Sequence, residues 1–133
     1  PQGARRPAQP AWPQAREAGL MQFGANPRPE WYTVERDGCE GVQARLLMQG
    51  PGLVAIMLRF APQAAIDLHA APHAIDVVCI EGAGFVRVGH ETAPFADGQS
   101  VRWPMGVPHQ LWTSGTPMTT LMLEHVSGHG SGL

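Results

Sequence analysis

The sequence predicts an all-β fold, a barrel or sandwich built from short strands. Glycine (16 residues) and proline (13 residues) are both abundant, which favours many turns over long helices. From Trp31 onward, short apolar runs recur about every 8–12 residues with Gly, Pro or Asp between them, a spacing typical of all-β domains and not of βαβ units. The 133 residues correspond to one domain that is long enough to bury a core.

The predicted strands follow one another from Trp31 to Val126. Gly- and Pro-containing turns separate most of them: RDGCEG, QGPG, GAG and ADGQ. The strand candidates, in chain order, are WYTVE, VQARLLM, GLVAIMLRFA, IDLHA, IDVVCIEG, FVRVGHETAPF, SVRWP, HQLWTS and TTLMLEHV. We therefore assign the β-barrel to residues 31–126 and expect a flexible tail over 127–133, where apolar residues are few.

Residues 1–30 differ from the rest of the chain. They hold six of the thirteen prolines and four of the nine arginines, and the prolines rule out a long helix. We interpret them as a proline-rich N-terminal arm. Two alternatives stay open: a flexible segment, or an arm that packs along a neighbouring barrel through Trp12, Met21 and Phe23. The second alternative predicts a homodimer.

Composition excludes several classes of partner. The formal net charge of −2 argues against nucleic acid or a membrane surface, since both require a basic field. Cys39 and Cys79 are too few for a disulfide framework or a CxxC metal site. No run reaches 18 apolar residues and no secretory signal is recognisable, so we expect a cytoplasmic protein.

The most specific pattern is GQSVRWPMGVPHQLWT, which contains G-x5-P-x-G-x2-H from Gly98 to His109. Its glycines permit tight bends, its proline ends a strand, and its histidine begins the next strand. This pattern resembles the second motif of the cupin superfamily, with Thr113 where that family usually has Asn. The resemblance covers about residues 40–126. It implies a cupin double-stranded β-helix (jelly-roll) barrel and implies that His109 is a metal ligand.

The first cupin motif is G-x5-H-x-H-x3,4-E-x6-G, and this sequence matches it only in part. Aligned on Gly82, the motif places its first histidine on His69, whereas its second histidine and its glutamate fall on Ala71 and Ile75. His73 and Asp76 lie close to those two positions. The resemblance therefore implies a divalent transition metal (Fe, Zn, Mn, Ni or Cu) with His69, His73, His109 and Asp76 as candidate ligands.

Strand geometry makes the role of His73 depend on a bend. In an extended strand His73 shares a face with His69 but lies about 13 Å further along, too far to share one metal ion. Pro72 and the flanking alanines favour a bulge or bend that shortens this distance and turns Asp76 inward.

Large strand residues indicate a small, partly apolar ligand if several of them line the mouth of the barrel. These residues are Met57, Cys79, Trp103, Trp112 and Met122. Arg59, Arg87 and Arg102 are candidates to bind a carboxylate.

Three functions are compatible with these features. The first is a metal-dependent oxidoreductase of the dioxygenase type, in which the metal is Lewis acid and redox centre. The second is a non-catalytic sensor of a ligand or metal. The third is a metal-free isomerase or epimerase, in which His69 with Asp76 or Asp67 moves protons. The fold does not decide among them.

Overall fold

The computed structural model describes residues 19–26 and 30–126, so most of the predicted arm and the whole tail lie outside the described residues. Within them the all-β prediction is confirmed: the elements are eight strands and no helix. The strands are β1 (Tyr32–Thr33), β2 (Glu40–Gln49), β3 (Val54–His69), β4 (Ala74–Val88), β5 (Glu91–Ala96), β6 (Ser100–Trp103), β7 (His109–Trp112) and β8 (Met118–His125). None of the elements in this part of the chain is an apolar helix of membrane-spanning length.

The barrel is closed by two long strands that each change partners along their length. The first half of β3 pairs with β2 and β8, and its second half pairs with β7. The first half of β4 pairs with β6 and β8, and its second half pairs with β5 and β7. All pairings are antiparallel, and the ring β3–β8–β4–β7 returns to β3. A closed ring of this kind leaves few unpaired edges.

The sequence patterns split both long strands in two, and this prediction is wrong. GLVAIMLRFA and IDLHA both belong to the single strand β3. Likewise, IDVVCIEG, the predicted GAG turn and the FVRV segment that follows all belong to β4. Local irregularities replace the expected turns. Gln63 in β3 has a φ of 60°, and the pairing of β4 with β8 shifts register between Cys79 and Glu81. Such bulges bend a strand without ending it.

Gly82 and Thr113 stabilise these two bends. Gly82 has a φ of 91°, and a Cβ there would lie 2.1 Å from the carbonyl oxygen of Pro117, so only glycine fits. The Thr113 hydroxyl donates a hydrogen bond to the Ala61 carbonyl at 2.6 Å and accepts one from the Ala64 amide at 2.9 Å. Thr113 therefore bridges the two sides of the β3 bend at Gln63.

The barrel interior is filled by alternate residues of each strand, as the period of two requires. In β8, for example, Met118, Thr120, Met122 and Glu124 are buried, and the residues between them are partly exposed. Large side chains that are almost completely buried form the centre of the core: Phe60, Ile75, Val77, Trp103, Leu111 and Met118.

Candidate functional site

The fold brings His69 and His109 together. His69 is the last residue of β3, His109 is the first residue of β7, and the two are direct partners in the antiparallel register. Their ring centroids lie 4.5 Å apart with an interplanar angle of 67°. The histidine of the intact motif and the first histidine of the altered motif thus share one site.

Both imidazoles are oriented in the same way by the backbone. His69 Nδ1 lies 2.9 Å from the carbonyl oxygen of Asp67, and His109 Nδ1 lies 3.3 Å from that of Val107. A carbonyl can only accept, so each Nδ1 carries the proton and donates it. In a neutral imidazole with this tautomer the lone pair is on Nε2, the usual metal-binding or proton-accepting atom. His109 Nε2 is buried and has no hydrogen-bond partner in the described part of the chain.

Trp103 fixes the other face of His109. The two rings stack with centroids 3.8 Å apart and an interplanar angle of 13°, and both side chains are 1% exposed. Burial lowers the pKa of His109 from 6.5 to about 4, and the nearby His69 and Arg36 act in the same direction. His109 is therefore neutral at pH 7, which is the state that binds a metal or accepts a proton.

The two histidines border a cavity of about 180 Å³ inside the barrel. Its wall is mainly aliphatic, with aromatic side chains from Tyr32 and Trp103. The aliphatic lining residues are Val34, Ala44, Ile56, Leu58, Ile66, Ile75 and Met122. A larger and more open concavity of about 450 Å³, beside Arg59 and Phe60, contains none of the four candidate metal ligands. The interior cavity is therefore the candidate binding site.

Arg36 lies at the mouth of this cavity, in the turn between β1 and β2. Its Nη2 is 3.9 Å from Asp67 Oδ1, and the same oxygen is 3.9 Å from His69 Nδ1. Asp67 packs directly on Gly38, where an added Cβ would lie 2.4 Å from the Asp67 Cβ. The side chain of Asp67 thus lies between the turn and the histidine pair, too far from either partner for a hydrogen bond.

Asp76, one of the predicted ligands, does not lie with the histidine pair. It alternates with the buried Ile75 and Val77, so its side chain lies on the outer face of β4. There it accepts two hydrogen bonds from Arg102, at 2.8 and 2.6 Å, and lies 2.8 Å from His125 Nε2. The hydrogen bonds from Arg102 lower the pKa of Asp76 to about 2, and His125 acts in the same direction.

His73 follows the predicted bend but is not among the residues that line the cavity. The chain leaves β3 after His69 and bends at residues 72–73 before β4 begins. Ala71, at the position of the second motif histidine, is buried. Residues 19–26 and 30–126 contain no group of three or more His, Cys, Asp or Glu side chains arranged to hold a metal ion. Two of the four candidate ligands, His69 and His109, are therefore brought together.

The residues predicted to line the pocket divide between interior and surface. Trp103 and Met122 border the cavity, whereas Trp112 stacks on Phe85, with ring centroids 5.7 Å apart, on the outer side of the barrel. The predicted carboxylate-binding arginines also lie elsewhere: Arg59 donates to Gln43, Arg87 to the Gly89 carbonyl and Arg102 to Asp76. The sequence patterns did not reveal Arg36, because a turn residue carries no alternation signal that assigns it to a face.

Solved structures of other proteins share this architecture. The polyketide cyclase RemF from Streptomyces resistomycificus superposes with a TM-score of 0.69 at 16% identity, over 83% of this chain and 82% of that one. A cupin-2 domain from Rhodospirillum rubrum gives 0.67 at 19% identity, over 83% and 77% of the two chains. An RmlC-like cupin from Shewanella frigidimarina gives 0.66 at 20% identity, over 80% and 93%.

No protein-family model matches the sequence, and the search of curated proteins found no match. At these identities the structural likeness establishes the fold and not the activity. The neighbours agree with the all-β barrel architecture of this chain. The chain has the cupin fold.

Proposed function

We propose that this protein binds a small, partly apolar molecule in the barrel cavity, beside a divalent transition metal held by His69 and His109. The observation that supports this proposal is the matched orientation of the two imidazoles. Each Nδ1 is directed to a backbone carbonyl, so each Nε2 lone pair remains for a cation.

The chemical type of the two ligands suits such a metal, but their number is lower than in a typical site with three protein ligands. Two neutral imidazole nitrogens suit Fe, Zn, Mn, Ni or Cu, and the buried His109 Nε2 lacks any other partner in the described chain. With two protein ligands, more positions are left for water and substrate than in a typical three-ligand site. When bound, the metal would supply Lewis-acid chemistry and, if it is redox-active, electron transfer.

The surrounding residues define what the protein itself contributes. Trp103 holds the His109 ring in place by stacking, and burial keeps that ring neutral. The aliphatic wall, with Ile56, Leu58 and Met122, excludes water from a bound molecule and selects for apolar groups. These features fit an oxidoreductase of the dioxygenase type, the activity class that we propose. A structural neighbour named as a polyketide cyclase supports a role for this barrel in small-molecule chemistry.

A second candidate, metal-free proton transfer, is favoured by the absence of a third ligand in the described residues. The neutral His109 would then accept a proton at Nε2. Asp67, with Oδ1 at 3.9 Å from His69 Nδ1, would stabilise a protonated His69. Asp76 has no part in this alternative, since it is paired with Arg102 and His125 on the outer face.

Metal content separates the two candidates. Untagged protein is reconstituted in turn with Fe(II), Zn(II), Mn(II), Ni(II) and Cu(II) and then desalted. Its metal content is measured by inductively coupled plasma mass spectrometry. We expect one ion per chain for at least one metal, and loss of that ion in His69→Ala and in His109→Ala. His90→Ala, in the exposed turn between β4 and β5, is the control and retains it. A wild-type protein that takes up no stoichiometric metal contradicts the first candidate and leaves proton transfer.

A further inference from the structure

We propose that the ligand of the barrel cavity is a small monocarboxylate with an apolar body, whose carboxylate is bound by Arg36 at the cavity mouth. This inference rests on the proposed function, because it names the class of molecule that occupies the same cavity. It depends on three observations: the charge at the mouth, the composition of the wall, and the different role of the other arginines near the barrel.

The charge at the mouth is positive on the side that lines the cavity. Among the described residues of the wall, Arg36 carries a permanent charge and none is a carboxylate. The Arg36 side of the mouth therefore attracts an anion, and Asp67, 3.9 Å from the guanidinium, offsets part of this charge.

Asp67 holds the guanidinium of Arg36 near the cavity without forming a hydrogen bond with it. The closest approach between the two side chains, 3.9 Å, is within ion-pair range but too long for a hydrogen bond. Asp67 is itself held against Gly38. Asp67 thus keeps Arg36 near the mouth by charge attraction, and the N–H groups of Arg36 remain for a ligand. A carboxylate matches these N–H groups because it accepts two parallel hydrogen bonds from a guanidinium.

The wall beyond Arg36 limits the rest of the ligand. Ile56, Leu58, Ile66 and Met122 offer no hydrogen bond from their side chains, so a second charged group would be desolvated without compensation. A cavity of about 180 Å³ also excludes large molecules. The ligand therefore carries one charge, at the mouth, and a compact apolar body that reaches toward His69 and His109.

Two other arginines are engaged by partners outside the cavity, which leaves Arg36 as the arginine placed to bind a carboxylate there. Arg59 donates from Nε to Gln43 Oε1 at 2.7 Å and stacks on Trp31 at 4.1 Å, outside the cavity. Arg102 is bound by both oxygens of Asp76. Arg59 therefore serves as a matched control, an arginine on the same barrel with its charge directed elsewhere.

The test uses three probes with the same branched apolar body and different charge: 3-methylbutanoate, 3-methylbutanamide and 3-methylbutylammonium. Each is titrated by calorimetry into the full chain, once after treatment with a chelator and once after loading with zinc. We expect the carboxylate to bind about tenfold or more tightly than the amide and the ammonium probe in the metal-free protein. Arg36→Gln should abolish this preference, whereas Arg59→Gln should preserve it.

Several results overturn the inference. These are equal binding of carboxylate and amide, tighter binding of the ammonium probe, no detectable binding of 3-methylbutanoate at millimolar concentration, or a preference that survives Arg36→Gln. If the preference appears only with zinc and does not depend on Arg36, the metal binds the carboxylate, so the inference fails and the proposed metal site stands. If an Arg36-dependent preference appears in protein that takes up no metal, the inference stands and the metal proposal fails.

Discussion

Trp103 and His109 stack face to face inside the barrel, with ring centroids 3.8 Å apart. The stack places an imidazole where water does not reach it, and the pKa of His109 falls to about 4 for that reason. The stability of the protein should consequently depend on pH. Well above pH 6.5 His109 is neutral in both the folded and the unfolded chain, and this residue adds no pH dependence.

As the pH falls from 6.5 toward 4, the unfolded chain binds a proton at His109 and the folded chain does not. The free energy of unfolding should then decrease by about 2–3 kcal/mol across this window on account of His109. This decrease can be measured by urea unfolding of the chelator-treated wild type and of His109→Gln at several pH values. The stability difference between the two proteins should shift in favour of the glutamine variant as the pH falls. A difference that stays constant with pH contradicts the low pKa.

The position of Asp76 and His73 predicts that neither residue is needed for metal binding. Asp76→Asn and His73→Ala should keep the metal content of the wild type, in contrast to His69→Ala and His109→Ala. Asp76→Asn should still cost roughly 0.5–1 kcal/mol of stability at pH 7, since it weakens a partly exposed ion pair with Arg102. Loss of metal from either variant would return that residue to the ligand set.

Gly82 should tolerate no side chain. An alanine there combines an unfavourable positive φ with a contact of 2.1 Å to the Pro117 carbonyl, so we expect Gly82→Ala to destabilise by at least about 2 kcal/mol. Gly115→Ala is the matched control, because a Cβ added at Gly115 would meet nothing within 4 Å and the φ of this residue is not positive. Thermal unfolding compares the two, and similar melting temperatures would show that the β4 bend adapts.

Thr113 should matter for stability through its hydroxyl group. Thr113→Val keeps the shape and removes both hydrogen bonds at the β3 bend, leaving the buried Ala64 amide without its partner. We expect a loss of about 1–3 kcal/mol, and Thr113→Ser should recover most of it. If the Thr113→Val variant is as stable as the wild-type protein, the hydroxyl group does not stabilise the bend.

The sequence predicted the fold class, and two of its four candidate ligands, His69 and His109, lie side by side in the structure. Strand alternation and the Gly98–His109 pattern were sufficient for a barrel and for His109, because both depend on local periodicity and turn chemistry. The pairing of His69 with His109 agreed with the resemblance of the two motifs. The expected homodimer and cytoplasmic location stay predictions.

The remainder depended on contacts between distant parts of the chain. Asp76 pairs with Arg102 and His125, and no sequence pattern near Asp76 reveals these partners. The glycine requirement at residue 82, within β4, comes from the carbonyl of Pro117, which is distant in the sequence. Arg36 reaches the cavity through a turn, where a sequence offers no period from which to assign a face.

The exchange of partners along β3 and β4 has a consequence for how the protein is made. Both long strands are closed by β7 and β8, the last strands to leave the ribosome among those described. A nascent chain that ends before His109 can form the β2–β3 hairpin, but it has neither the second imidazole nor the partners that complete the ring. We expect folding to wait for the C-terminal strands, since non-local pairing is slow to form. Binding competence should therefore be acquired only once β7 and β8 have been synthesised, so that chains terminated before His109 should show no affinity for the ligand.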